Sequence, residues 1–169
     1  MEGILNKNIL VVDDDERMLR ALAKTLSSEG AVVTTSQWGG DAIEILSRRE
    51  QNVDLVITDL RMPLVTGAAL VHSIHLIFPE LPIIVLTAFG SSEARAECLR
   101  QGAAAFLEKN LSTAQLLAEI ERAFTSRKLV DEQPATNAAW KKAAADEKTK
   151  PKSSDEGSKG QSGKIETPF

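Results

Sequence analysis

The sequence predicts an α/β fold: a (βα)5 doubly wound domain whose parallel five-stranded sheet carries helices on both faces, followed by a disordered C-terminal tail. Three observations predict it. Five short apolar runs recur at intervals of about 25 residues, and an amphipathic helical stripe follows each of them. The runs show little alternation, which marks strands covered on both faces. Strands alternating with helices imply βαβ units with right-handed crossovers. No sequence repeat accompanies this regularity, so the period is one of supersecondary structure.

The first strand is Ile9-Leu10-Val11-Val12, and Met18, Leu19, Leu22 and Leu26 make the helical stripe behind it. Gly30 stands where a left-handed cap would close that helix. The second strand is Ala31-Val32-Val33-Thr34, with Ala42, Ile43 and Leu46 as its helix. Leu55-Val56-Ile57-Thr58 is the third, followed by Leu70, Val71, Ile74 and Phe78. Pro79 cannot continue that helix. The fourth strand, Ile83-Ile84-Val85-Leu86, precedes a weaker stripe of Ala94, Cys98 and Leu99 closed by Gly102. The fifth, Ala104-Ala105-Phe106-Leu107, leads to a helix opening at Ser112, with Gln115 three residues on in a capping-box arrangement. Leu116, Leu117, Ile120 and Phe124 are its apolar face.

Composition bounds the rest. Of 169 residues, 43% are hydrophobic and 26% charged, the balance of a soluble globular chain. The net charge of −4 argues against a protein whose main partner is the nucleic-acid backbone. A single cysteine, Cys98, excludes an intramolecular disulfide framework and a multi-cysteine zinc site, and suits a reducing cytoplasm. Two histidines, His72 and His75, are little material for a metal site or a triad, and read as helix-surface or packed residues. Residues 1–12 lack the basic stretch and apolar run of a secretory signal. The longest charge-free run, residues 62–79, is broken by prolines, glycine and polar side chains, so no membrane span is expected. Composition changes near residue 130: residues 1–130 carry the whole net charge, whereas 131–169 are balanced. The tail's only large apolar residues are Trp140, Ile165 and Phe169. Ordering a backbone costs roughly 1–2 kcal/mol per residue, so 131–169 is expected to be disordered, with at most a transient helix over 138–148.

Ligands of an open parallel sheet bind beyond the carboxyl ends of its strands. Asp13-Asp14-Asp15 follows the first strand, Asp59 the third, Thr87-Ala88 the fourth and Glu108-Lys109 the fifth. Carboxylates, a hydroxyl and an ammonium are thus expected on one rim. Two like charges 4 Å apart repel by about 4 kcal/mol at an effective dielectric of 20. A hard divalent cation resolves that repulsion, and Mg²⁺ suits a few carboxylates, a carbonyl and retained waters. Asp15 reads as a cap of the first helix, and Cys98 as a buried small apolar residue.

Ile9-Leu10-Val11-Val12-Asp13-Asp14-Asp15, then Asp59-Leu60-Arg61-Met62-Pro63-Leu64-Val65-Thr66-Gly67, then Leu86-Thr87-Ala88, then Phe106-Leu107-Glu108-Lys109, resemble the response-regulator receiver domain of two-component signalling. The likeness covers roughly residues 7–128. Each motif alone is weak; four in order, each at a strand end, are specific together. The resemblance implies that Asp59 accepts a phosphoryl group from a sensor histidine kinase or phosphotransfer protein. It implies that Asp14 binds Mg²⁺ directly, Asp13 mainly through water, and the backbone carbonyl of Arg61 as a further ligand. Thr87 and Lys109 would hold phosphoryl oxygens, and Phe106 occupies the place of a switch aromatic that turns inward as Thr87 moves. Phosphoryl transfer asks for positioning and charge neutralisation, which such a rim supplies.

Two departures accompany the resemblance. Asn110 follows Lys109 where the family usually has a proline after a cis bond, which puts the placement of Lys109 in question. Arg61 and Phe89 stand at positions that, in this family, line the path of the hydrolytic water, and so bear on the lifetime of the phosphorylated state. With no second hydrophobic domain after residue 130, output is expected through the tail or through the face of the fourth helix, fifth strand and fifth helix. That face would serve a downstream protein or homodimerisation, and no direct DNA binding is expected. A constitutive receiver-fold scaffold that is never phosphorylated is the alternative, favoured only by Asn110. A haloacid-dehalogenase-type phosphatase would need Thr or Val at Arg17, closing an Asp-x-Asp-x-Thr/Val run.

Overall fold

A computed structural model describes residues 3–48, 52–63 and 65–131, with side chains through residue 126. Among the described residues, ten elements alternate in order. They are β1 (Asn8–Val12), α1 (Glu16–Ser28), β2 (Val32–Ser36), α2 (Gly39–Ser47) and β3 (Leu55–Thr58), then α3 (Gly67–Ile77), β4 (Ile83–Thr87), α4 (Ser92–Arg100), β5 (Ala105–Glu108) and α5 (Thr113–Asp131). The strands form one parallel sheet in the order β2-β1-β3-β4-β5. The chain leaves β1 toward β2 on one side and returns to β3 on the other, so the switch point lies between β1 and β3.

The doubly wound expectation holds, and the three inner strands explain why the sequence announces it. β3 and β4 are buried at every position and β1 at all but Asn8. Side chains alternate between two apolar layers. Leu10, Val12, Val56, Ile83 and Val85 meet Leu46 of α2, Leu70 and Ile74 of α3 and Cys98 of α4. Ile9, Val11, Ile57, Ile84 and Leu86 meet Leu19 and Leu26 of α1 and Leu116 and Ile120 of α5. A large aliphatic side chain buried this way contributes about 1.5–3 kcal/mol.

The outer strands depart from expectation. β2 spans Val32–Ser36 rather than 31–34 and, as an edge, is largely uncovered, with Val32 exposed. Ala31 is buried and Val33 packs on the α1–α5 layer, whereas Val32 reflects β-branched propensity rather than burial. β5 is the other edge and lies one residue later than predicted, at Ala105–Glu108. In α4 only Cys98 is buried; Leu99 faces solvent, so that stripe is narrower than its sequence suggests.

The helix ends follow the predicted chemistry. Gly30 and Gly102 both have positive φ, and Ala31 N–H donates to Leu26 O while Gly30 N–H donates to Ser27 O, a Schellman closure of α1. Ser112 and Gln115 form the capping box, with Ser112 N–H donating to Gln115 Oε1 at 2.8 Å and Gln115 N–H to Ser112 Oγ at 3.3 Å. His72 is exposed and His75 packs against Gly102, where an added Cβ would come 2.3 Å from the ring. α5 continues to Asp131, one residue into the predicted tail. The chain divides into two units, Met1–Glu132 and Gln133–Phe169. The second lies outside the described residues, as do the expectations of disorder and of a helix over 138–148. No helix among the described residues is long and apolar enough to cross a membrane.

Candidate functional site

The parallel register assembles the site. Val12 pairs with Thr58, so the next residues in register, Asp13 and Asp59, leave the sheet side by side at the switch point. Their backbones continue the ladders past the strands: Asp13 N–H donates to Ser36 O at 3.1 Å and Asp59 N–H to Val12 O at 2.9 Å. Thr87 pairs with Glu108, and Lys109 N–H donates to Thr87 O at 2.8 Å, which brings the fifth strand's end to the same rim.

Three carboxylates converge there. Asp13, Asp14 and Asp59 each offer an oxygen, all within 4.8 Å of one another. Asp13 and Asp59 are buried and Asp14 is exposed. Lys109, 96 residues from Asp13, reaches its Oδ2 at 2.6 Å and Asp59 Oδ2 at 3.4 Å. The other oxygens of the buried pair accept backbone donors: Asp15 N–H on Asp13 Oδ1 at 2.9 Å, and Leu60 N–H on Asp59 Oδ1 at 2.7 Å. Asp15 caps α1, its Oδ1 accepting from Arg17 N–H at 2.9 Å. Burial raises the Asp13 carboxyl above its ordinary value, against the Lys109 hydrogen bond, the Asp15 amide and the Lys109 charge, while the Asp59 charge adds to the rise. Burial alone would lower the Lys109 ammonium, but its hydrogen bond to Asp13 and the charges of Asp13 and Asp59 outweigh that and raise it. One ammonium faces three carboxylates, and the donor set is all oxygen. That chemistry fits a hard divalent cation of the Mg²⁺ kind.

The Lys109–Asn110 bond is trans, like the others among the described residues. Lys109 nevertheless points into the site, because its N–H is fixed to Thr87 O and Leu111 N–H closes a turn on Glu108 O at 3.4 Å. The Asn110 departure therefore does not displace Lys109.

The remaining site candidates line the same rim. Thr87 is buried, its Oγ1 accepting from Phe89 N–H at 3.3 Å. Ala88 beside it is small and exposed. Arg61 and Phe89 meet across the mouth, the guanidinium carbon 5.1 Å from the ring centroid, with Phe89 66% exposed. Phe106 points inward and is 3% exposed. Gly67 lets α3 begin directly beneath Asp59: a Cβ there would stand 2.2 Å from Asp59 O and 2.6 Å from Leu60 Cα. Sequence reasoning missed Gly90, which roofs the Phe106 ring, and Arg95, whose Nη1 donates to Phe106 O at 3.0 Å. Neither carries a motif; both are visible only once α4 lies over β5.

Residues 9–121 match the family described as the response regulator receiver domain. Transcriptional regulatory protein GlrR of Escherichia coli strain K12 is 37% identical over 136 residues, 80% of this chain and 29% of that protein. Among solved structures, a response regulator receiver domain protein from Clostridium thermocellum superposes with a TM-score of 0.69 at 28% identity, covering 73% of this chain and 98% of that one. The beryllofluoride-activated NtrC4 receiver domain dimer superposes with a TM-score of 0.65 at 29% identity, covering 71% and 98%. The chain thus spans less than a third of the length of GlrR, whose name concerns a whole protein.

Proposed function

Because this chain belongs to the response-regulator receiver family, we propose that it is a phosphorylation-dependent signalling switch with Asp59 as its phosphoacceptor. One observation carries the reading: Asp59 lies beside Asp13 and Asp14 with carboxylate oxygens within 4.8 Å, and Lys109 Nζ is 3.4 Å from its Oδ2. An oxygen of Asp59 bonds to phosphorus as the phosphorus–nitrogen bond of a kinase or phosphotransfer phosphohistidine breaks, and the imidazole leaves with its electron pair. Lys109 neutralises one incoming oxygen, and the Thr87 hydroxyl donates to another. Asp13, Asp14, Asp59 and the Arg61 carbonyl would hold Mg²⁺, which when bound offsets phosphoryl charge. Small, exposed Ala88 leaves the approach open.

Output runs through the α4–β5–α5 face or the tail to a downstream protein, or by homodimerisation through that face. The dimeric NtrC4 receiver domain supports the last option by likeness. DNA binding is named for relatives that this chain matches over about a quarter of their length, and the described domain, acidic at its rim, supports none of its own. A reducing cytoplasm suits the lone buried Cys98. The alternative, a constitutive receiver-fold scaffold that is never phosphorylated, draws on Asn110 alone, whereas Lys109 beside Asp59 supports the switch.

The test is labelling by a small phosphodonor with Mg²⁺, followed by mass spectrometry of the intact chain. The wild type gains one phosphate and Asp59→Asn gains none. Labelling that persists in Asp59→Asn, at Asp13, Asp14 or Asp15, overturns the assignment.

A further inference from the structure

α4 buries few side chains of its own against the domain. Its only buried side chain is Cys98, and its mean character is polar. Arg95, on the same helix, makes two contacts with one residue eleven positions later. Its Nη1 donates to the Phe106 carbonyl at 3.0 Å, and its guanidinium carbon stands 6.0 Å from the centre of the Phe106 ring. The ring itself lies under the β4–α4 loop, where a Cβ at Gly90 would come 2.6 Å from Cε1 and 3.6 Å from Thr87 Cγ2. Thus the loop after Thr87, the inward ring and the guanidinium of α4 are stacked against one another.

A guanidinium is a planar fork with fixed donors. It can hold a carbonyl and lie over the adjoining ring together only while both keep this arrangement. If β5 shifts at Phe106, α4 loses both tethers at once; if the ring alone turns away, α4 loses the ring contact and keeps the carbonyl bond. We propose that Arg95 is a positioning residue that couples the placement of Phe106 to the placement of α4. The inference rests on the switch reading above, and it adds to that reading the route by which a change at Thr87 reaches an exposed helix. No side chain other than Arg95 on α4 bonds to β5 among the described residues.

The experiment is amide hydrogen exchange of the full chain, free and with beryllofluoride and Mg²⁺, in wild type, Arg95→Ala and Arg95→Lys. In the free protein, Arg95→Ala speeds exchange of the α4 amides by about tenfold, an opening easier by roughly 1.4 kcal/mol. Exchange in α3 stays as in wild type. Beryllofluoride then changes α4 exchange in wild type and leaves it unchanged in Arg95→Ala. Lysine restores only part, having charge without the planar fork. Beryllofluoride binding is read separately, from the Leu60 and Thr87 amide shifts. Equal α4 exchange in wild type and Arg95→Ala, free and bound, overturns the role of Arg95 and leaves the switch reading standing. Absence of any beryllofluoride shift in wild type overturns the switch reading, and the coupling with it.

Discussion

Asp14 differs from its two neighbours in the acidic cluster by being exposed and by making no ion pair with Lys109. Its carboxylate is the one that can approach a cation without giving up a buried partner. Removing it leaves the Asp13–Lys109 pair untouched and relieves a like-charge contact, so Asp14→Ala is expected to keep the fold. Its Mg²⁺ affinity, measured by titration calorimetry, should fall by at least about tenfold, a loss of roughly 1.4 kcal/mol of binding. Its thermal midpoint without Mg²⁺ should be equal to or above that of wild type. An unchanged Mg²⁺ affinity would remove Asp14 as a ligand. At this scale the sequence was informative about identities and silent about partners. Asp13, Asp14, Asp59, Thr87 and Lys109 were legible because each follows a strand that reads clearly. The 2.6 Å bond between Lys109 and Asp13 was not, since its ends lie 96 residues apart and nothing local encodes which acid the ammonium chooses.

Elements bring those residues together, and the closest approach is at the start of α3. Thr66 caps the helix by accepting from Ala69 N–H at 3.3 Å, and Gly67 N–H donates to Leu60 O at 2.8 Å. The helix can begin that near to β3 only because residue 67 has no Cβ. Gly67→Ala places a methyl where Asp59 O stands 2.2 Å away, and the obstacle is backbone, which cannot rotate aside. The expected cost is about 1–3 kcal/mol, as for other overpacked sites. Denaturant unfolding should register it, and beryllofluoride affinity should fall as Asp59 is pushed off line. Wild-type stability and affinity together would mean that α3 slides outward freely. Gly67 was legible as part of a motif, but its reason was not; sequence shows a glycine, and only packing shows the carbonyl it clears. The edge strands mark the opposite limit. Val32 looks like a core residue, yet is exposed, because β-branched side chains favour extended backbone wherever it lies. α4 repeats the point on a helix: of the stripe Ala94, Cys98 and Leu99 only Cys98 is buried, and Leu99 faces solvent.

Across the whole of the described domain the sheet divides the interior into two layers that share strands but not side chains. Phe106 belongs to the layer of α2, α3 and α4, whereas Leu116 and Ile120 of α5 belong to the other. On the proposed reading, a change that begins at Thr87 and passes through the Phe106 ring reaches α4 by direct packing, whereas α5 packs on the other face of the sheet, against Ile84 and Leu86 of β4. Phenylalanine has no hydroxyl to satisfy, so its inward position rests on packing and incurs no desolvated donor. Under the proposed function, phosphorylation shifts the ensemble only by its different interaction with the two arrangements, and the Thr87 hydroxyl, which here accepts from Phe89 N–H, is the group proposed to tell them apart. Thr87→Ala should still take up phosphate on Asp59, since the proposed nucleophile and Lys109 are intact. Beryllofluoride should then produce smaller amide shifts at Phe106 and along α4 than in wild type. At Leu116, behind the sheet, wild-type shifts should already be smaller than those on α4, and the variant should alter them less. Equal responses at Phe106 in the two proteins would show that the signal bypasses Thr87. A response at Leu116 as large as that on α4 would show that the two layers move as one.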